Sequence, residues 1–440
     1  MLEVSGIAIF FILFGSLILL LTLGLPVAFS LGGLACIFAL LFWGPVGFFS
    51  IVTTAYGETT SFVLVAIPLF IFMAALLQYS GLADDLYGAA YKWFGPVGGG
   101  LAMGTVIICA VFAAIAGIAT AGIATMGLIA LPSMLKRGYN KQIVTGCIMA
   151  GGSLGILIPP SITFILYGSQ ANTSIGQLFM GGMLPGIMLA VFYIIYIGIR
   201  CARNPELGPP VPVEERYSWH EKLVSLRGVI APLITVIIVL GAIYAGVATP
   251  TEAAGVGAFV CLVICGIRRQ LYLGNIRRIF ALTVRTNGMV MWIVIGAIAF
   301  AHIVSVSGAG EWLCAGLTAL PVSRWVILIL MELIFFGLGM FIDPAGIVMI
   351  TTPIFVPILH TLGFDLVWFG VLFVINMQMA YLTPPFGFAL FILKGVSPEG
   401  VTMLDIYKSI WPFLIMQFIA LIIVMLVPQI ALWLPSTMIQ

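Results

Sequence analysis

Charge is the scarcest feature of this 440-residue chain: 17 Lys and Arg and 15 Asp and Glu make up only 7% of its positions. Soluble domains carry roughly a quarter charged residues, so this chain cannot cover a water-facing surface. The net charge of +2 leaves no electrostatic footprint for nucleic acid. Histidine is almost missing, with His220, His302 and His360 far apart, and neither HExxH nor GxSxG stands in a credible context. No GxxxxGK[ST] stretch occurs, which excludes ATP hydrolysis through a P-loop. Together these gaps argue against an enzyme, and none of them leaves a cofactor to be expected. The seven cysteines form no CxxC pair, and only Cys261 and Cys265 share a helix face. Without His neighbours, helix packing accounts for them better than a metal site. A cleavable leader is also missing: the apolar stretch after Met1 has no basic start and contains Pro26 rather than a small-residue cleavage site, so it reads as a retained span.

What the chain does have is apolar surface, 62% of positions, with 50 glycines and 24 prolines and a mean hydropathy of +1.24. That combination fits many transmembrane helices with deliberate irregularities. A hydrocarbon core of about 30 Å needs about 20 helical residues. By that ruler the plain spans are 5–23, 25–43, 62–80, 178–199, 228–247, 249–267, 284–306 and 410–434. Four regions resist it. Residues 101–135 and 325–361 are long apolar stretches with a helix-breaking cluster near the middle, and 141–172 and 366–395 each carry a diproline at the centre.

These regions come in pairs. Pro159 and Pro160 precede Pro384 and Pro385 by 225 positions, and the same offset relates Pro132 to Pro357 and Gly138 to Gly363. Within two positions it also relates Pro26 to Pro250, Gly33 to Gly257, and Ser80 and Gly81 to Ser307 and Gly308. One constant offset means two copies of one unit, a sequence signature of secondary transporters. Residues 1–200 form the first copy, 201–227 a polar linker and 228–440 the second. Each copy has an odd number of crossings plus a hairpin that returns to its own side, so the second copy must enter the bilayer inverted. Charge tests this independently. With Met1 outside, the inner segments and their flanks hold 16 of the 17 Lys and Arg, and only Arg324 falls outside, as the positive-inside rule requires. The linker is then cytoplasmic and both termini are periplasmic. Segments 48–60 and 270–283 are too polar to span and read as amphipathic arms along opposite membrane surfaces. The fold expected is an all-α polytopic membrane protein of two inverted-topology repeats, each with plain spans, a re-entrant helical hairpin and a diproline-broken helix.

Proline removes a backbone donor and clashes with the preceding turn, so Ile158, Pro159 and Pro160, and Thr383, Pro384 and Pro385, each unwind a span near the bilayer midplane. Lipid cannot satisfy the freed carbonyls, and such breaks survive only in protein or beside a wet cavity. They are either structural kinks or places where carbonyls and half-helix ends bind ions and anionic groups; their symmetric placement, followed by Ser161, Thr163 and Gly387, favours the second. At the first hairpin tip lie Gly117, Thr120 and Gly122, and at the second Asp343 and Pro344 mark the turn. An acidic side chain at membrane depth costs about 2.5–3.5 kcal/mol on insertion scales, so Asp343 either caps a helix or meets a cation or hydrated cavity. Ser153, Gly155, Asn376 and Gln378 lie on the approaches to the breaks, where they could supply oxygen ligands or close backbone approach. Glu332 and His302 read as interhelical hydrogen-bonding residues, and Thr249 with Glu252 as a helix cap.

The run from Leu131 to Tyr139, the run from Gly151 to Ser161, and the segments Thr249 to Ala254, Gly339 to Asp343 and Leu382 to Gly387 resemble the large membrane subunit of tripartite ATP-independent periplasmic (TRAP) transporters, the DctM family. The resemblance covers essentially the whole chain. It implies sodium-coupled import of a small organic anion, a carboxylate or sulfonate, by an elevator movement in which hairpins and broken spans slide as one body against the plain helices. It also implies two partners, a small four-helix membrane subunit as a separate chain and a periplasmic substrate-binding protein, in a bacterial inner membrane. Sodium is then expected at Thr120, Asp343 and Thr383, with the substrate between the hairpin tips and the diproline breaks. One departure stands out: the family's first tip is rich in Ser and Gly, whereas here Ile118, Ala119 and Ala121 surround Thr120, leaving backbone carbonyls and Thr120 as ligands. A self-sufficient ion-coupled symporter or antiporter of a related fold, and a passive channel, are the competing readings.

Overall fold

The computed structural model describes residues 6–439; the positions of Met1 and residue 5, where the first span was expected to begin, lie outside them. The described residues form twenty α-helices, with short 3-10 turns and no strand. The first copy contains α1 (Gly6–Thr22), α2 (Val27–Thr59), α3 (Ala66–Gln78), α4 (Leu82–Phe94), α5 (Gly100–Ala116), α6 (Ala119–Lys136), α7 (Lys141–Leu157), α8 (Ile162–Gln170) and α9 (Ile175–Arg203). A short α10 (Trp219–Ser225) ends the linker. The same order returns as α11 (Arg227–Tyr244), α12 (Pro250–Ile267), α13 (Leu273–Val306), α14 (Ala309–Thr318), α15 (Arg324–Gly339), α16 (Pro344–Leu362), α17 (Leu366–Leu382), α18 (Phe388–Val396) and α19 (Met403–Leu426), followed by α20 (Gln429–Ser436). Among the described residues nine helices are long and apolar enough to cross a membrane, or ten if Phe62–Gln78 and Leu82–Phe94, bent by 60°, count as one span. The chain is a multi-pass, all-helical membrane protein.

Backbone conformation repeats with the sequence. The Pro159–Pro160 and Pro384–Pro385 bonds are both cis. Gly138 (φ 78°) and Gly363 (φ 70°) end α6 and α16 in the same left-handed turn. In each, the next residue's N–H reaches back five positions, Tyr139 to Met134 at 3.2 Å and Phe364 to Leu359 at 3.0 Å, satisfying carbonyls that a helix end would orphan. Gly44 (φ 63°) and Arg269 (φ 56°) also correspond.

The arms depart from a simple pairing. The first arm follows a break in the preceding span, because Gly44 (φ 63°, ψ −153°) is not helical, and it ends at Thr59 before the next span begins. The second arm starts afresh after the turn at Arg269 and runs straight into the following span as α13. Residues 284–306 are therefore the distal part of a 34-residue helix. Ser50 on the first arm and His302 on α13 meet at 2.8 Å, and Thr249 with Glu252 makes a reciprocal capping box at the start of α12. The Cys265 thiol donates to the Leu76 carbonyl at 3.3 Å, a packing role.

At the centre stand α7 and α17, buried from Ile143 to Leu157 and from Val367 to Leu382. Their small residues let neighbours approach closely, which matters in a membrane because lipid tails compete equally for apolar contact. Helices α5 and α6 lie on α7, α15 lies on α17, and α9 and α19 touch both. The hairpins also reach across copies, α6 against α18 and α16 against α8. Helices α1 to α3 and α11 to α14 form an outer layer whose exposed Leu19, Phe29, Ile237 and Phe259 would be an aggregation liability in water and are suited to lipid.

Candidate translocation site

Hairpin one turns in two residues. Helix α5 stops at Ala116, Gly117 is left-handed, Ile118 is extended, and α6 starts at Ala119. The tip rests on the first break: the Ile162 amide donates to the Gly117 carbonyl at 3.5 Å, and a Cβ on Gly117 would stand 2.6 Å from the Pro160 carbonyl oxygen. Only glycine fits both that φ and that contact. In hairpin two, Asp343 is the N-cap of α16, its carboxylate accepting from the Ala345 amide at 3.0 Å, with Pro344 at the first helical position. Both choices suit a helix start, where anionic groups are favoured.

Both breaks begin with an extended residue before a cis Pro–Pro bond, Ile158 in one and Thr383 in the other. Helix α7 ends at Leu157 and α8 resumes at Ile162; the Ser161 hydroxyl donates to the Ile156 carbonyl, and Ile158, Pro159, Pro160 and Ser161 are all buried. Helix α17 ends at Leu382, the Thr383 hydroxyl donates to the Met379 carbonyl at 2.8 Å, and α18 resumes at Phe388. Here Pro385 and Phe386 are exposed.

The two tips meet at a cavity of about 80 Å³. Gly117 and Thr120 line it from the first tip, Asp343 and Ala345 from the second, Thr163 from α8 and Tyr381 from α17. Thr286 and Val290 on α13 close it from the outer layer. That volume holds a few water molecules and falls well short of the roughly 300–1,000 Å³ that buries a drug-sized ligand. In this conformation the site suits a small ion, and an organic anion requires the tips to part. Larger recesses of about 420 Å³ between α2 and α13 and about 570 Å³ beside residues 168–176 touch neither tip nor break, so size alone does not locate the path. Among the described residues no group of three or more His, Cys, Asp and Glu side chains is placed to hold a metal ion.

The cavity gathers Gly117, Thr120 and Asp343 of the residues expected from sequence. Gly122 and Gly155 instead let hairpin one lie on α7: a Cβ on Gly155 would stand 3.2 Å from the backbone of Ile118, and one on Gly122 3.6 Å from the Cα of Gly152. Ser153 accepts from Gln378 Nε2 at 3.1 Å, so residues 225 positions apart pair across the centre. Asn376 is bound to Glu332. Thr383, Pro384 and Pro385 lie outside the cavity lining. Sequence reasoning did not place Thr286, which sits in a plain helix with no local mark, or Tyr381 in the lining.

A family model described as "Tripartite ATP-independent periplasmic transporter, DctM component" matches residues 14–430. The chain is 32% identical over 445 residues to the C4-dicarboxylate TRAP transporter large permease protein DctM of Rhodobacter capsulatus, covering 97% of this chain and 98% of that one. It is 34% identical over 407 residues to the protein of the same name from Pseudomonas aeruginosa, covering 92% and 93%. Its fold is similar to the crystal structure of the Alcanivorax borkumensis YdaH transporter, with a TM-score of 0.66 at 14% identity over 96% of this chain and 98% of that one. With that model matching residues 14–430 and relatives more than 30% identical over nearly their full length, the chain belongs to the DctM family of TRAP transporter large permeases.

Proposed function

We propose that this permease imports a small organic anion, a carboxylate or sulfonate, together with sodium across a bacterial inner membrane. It would work with a separate small four-helix membrane subunit and a periplasmic protein that delivers the substrate. The observation that carries this reading is the meeting of Thr120 and Asp343 in one small cavity between two hairpin tips. Asp343 supplies the one acidic side chain of that lining, the Thr120 hydroxyl a neutral oxygen, and the Gly117 turn a free approach of backbone. A cation bound there would hold the tips together and offset the cost of an acid at membrane depth. The anion would bind when the tips separate, between them and the half-helix ends of α8 and α18, where backbone amides and the helix dipole favour negative charge. Relatives named for C4-dicarboxylates support the substrate class. Hairpins and broken helices would move as one body against the outer layer, with both copies inverted relative to each other and both termini periplasmic.

Uptake in proteoliposomes tests the reading. It is expected only with binding protein, small subunit and a sodium gradient all present, and uptake that ignores sodium removal counts against the coupling ion. Asp343→Asn keeps a competent N-cap while removing the charge. It is expected to fold and assemble with sodium activation lowered by an order of magnitude or more, a loss of about 1.4 kcal/mol of coupling; unchanged activation removes Asp343 from the site.

A further inference from the structure

Glu332 stands in the middle of α15, is 5% exposed, and faces Asn376 of α17, which is 1% exposed. Asn376 Nδ2 donates to the Glu332 carbonyl oxygen at 2.6 Å and to its carboxyl Oε2 at 2.5 Å. Both hydrogens of that amide are thereby used, and two acceptors remain with no donor: Glu332 Oε1 and Asn376 Oδ1. Buried polar atoms without a partner are rare and call for an explanation. They belong to the two groups already joined by a hydrogen bond.

We propose that Glu332 and Asn376 form a buried proton-binding site, in which Glu332 carries a proton on Oε1 and donates it to Asn376 Oδ1. One proton satisfies both orphaned atoms, because it converts an acceptor into the missing donor. Acid and amide then face each other through two parallel hydrogen bonds. It also removes a buried charge, whose uncompensated cost runs to several kcal/mol.

Among the described residues no cationic side chain is paired with Glu332. The ion pairs among the described residues are Arg137 with Glu215 and Arg268 with Asp85, and neither involves α15. On α15 itself Arg324 lies two turns away, bonded to the Leu362 carbonyl with its guanidinium over the rings of Trp325 and Phe364. On α16 the titratable groups are His360 near the far end and Asp343 at the cap; on α17 they are Asp365, bonded to the Trp368 amide, and Tyr381. Tyr167 of α8 donates to the Leu366 carbonyl at 2.9 Å. None is hydrogen-bonded to Glu332. A metal cation would want a fuller oxygen shell than two atoms, yet one turn away on either helix lie buried Leu328, Phe335, Leu372 and Phe373.

The first copy shows that packing alone does not require the pair. Gly151 and Ile107 precede Asn376 and Glu332 by the repeat offset, and a Cβ on Gly151 would meet the Cys109 Cβ at 3.0 Å. That seam is apolar and tight. Of these two corresponding positions only the second copy's carries a carboxyl between hairpin and broken helix, so loss of its proton would loosen the hairpin that carries Asp343. The inference does not depend on the coupling ion proposed above.

Infrared spectroscopy of the full-length protein in lipid nanodiscs reads the proton directly. At neutral pH the wild type is expected to show the carbonyl stretch of a protonated carboxyl, lost in Glu332→Gln and retained in Asp343→Asn. Glutamine reproduces both bonds to Asn376, so its melting temperature is expected to match the wild type and its stabilisation by sodium to be unchanged. Absence of the band in the wild type, its persistence in Glu332→Gln, or loss of sodium stabilisation in that variant overturns the proposal, the last pointing to a metal cation. If Glu332→Gln does not fold, Asn376→Leu serves: the band should shift to the frequency of an unbonded acid, and an unshifted band overturns the assignment.

Discussion

The two diproline breaks share a cis Pro–Pro bond and differ in what surrounds it. In the first copy Ile158 through Ser161 are buried, and the tip of the first hairpin is seated on the Pro160 carbonyl. In the second copy Pro385 is exposed, Phe386 is 48% exposed and touches the tip of its own hairpin through a ring contact with Phe341 at 5.6 Å. The same diproline thus unwinds both helices, while the side chains around it seal one break and leave the other at the surface. A pair of sites related by a sequence offset need not sit alike: the first is a closed seat for a hairpin, and the second has Pro385 and Phe386 exposed.

The sharpest way to break this comparison is to force the sealed seat open. Gly117→Ala places an L residue in a left-handed conformation, at about 1–2 kcal/mol, and adds a clash with a backbone oxygen 2.6 Å away that no rotamer change relieves. Uptake is expected to vanish and the melting temperature to fall by several degrees. Gly395→Ala, in the half-helix beyond the open break, meets nothing within 4 Å and is expected to be neutral or slightly stabilising, since alanine is favoured over glycine in a helix by about 1 kcal/mol. Equal damage from both would mean that the breaks are equally seated.

Cysteine accessibility measures the same difference more gently. In a background where the native cysteines are replaced, Phe386→Cys is expected to react with a thiol reagent at least tenfold faster than Ser161→Cys. Comparable rates would erase the distinction between a closed and an open break. Labels at Arg137 and Thr361, on corresponding hairpin turns, should be reached from opposite faces of the membrane if the copies are inverted.

Hydropathy with one constant offset was enough to read the helix content, the two hairpins and the two breaks, because proline and glycine act locally on the backbone. Partners across the interior were not readable that way. Nothing local marks Thr286 as a neighbour of Asp343, since periodicity says which face is apolar and not which helix it meets. Asn376 read as a ligand for the break because of its chemistry and position, and the structure gives its amide to Glu332. The arms were legible as polar segments set off by breaks at Gly44 and Arg269, but that only the second runs on into the following span was not. Arginine in that conformation sends no signal that a single sequence reveals.

The smallest expected effect concerns the linker, which clasps turns of the first copy: the Gly99 amide donates to the Gly208 carbonyl at 2.8 Å, Val211 to Gly95 at 2.8 Å and Asn140 to Leu207 at 2.9 Å. One ion pair decorates this contact, Arg137 with Glu215 at 3.0 Å, with side chains 32% and 54% exposed. Exposed pairs are worth at most about 1 kcal/mol and are screened by salt, so Glu215→Gln should lower the melting temperature by no more than a degree or two and leave uptake intact. Gly208→Ala is the contrast, because its Cβ would fall 2.8 Å from the Cys201 sulfur and 2.9 Å from the Gly99 Cα, prising backbone from backbone. It should cost several times more than the ion pair. If Glu215→Gln proves the more damaging of the two, charge and not main-chain contact holds the linker on the first copy, and the closed character of that copy owes more to the linker's clasp than to the seat at Pro160.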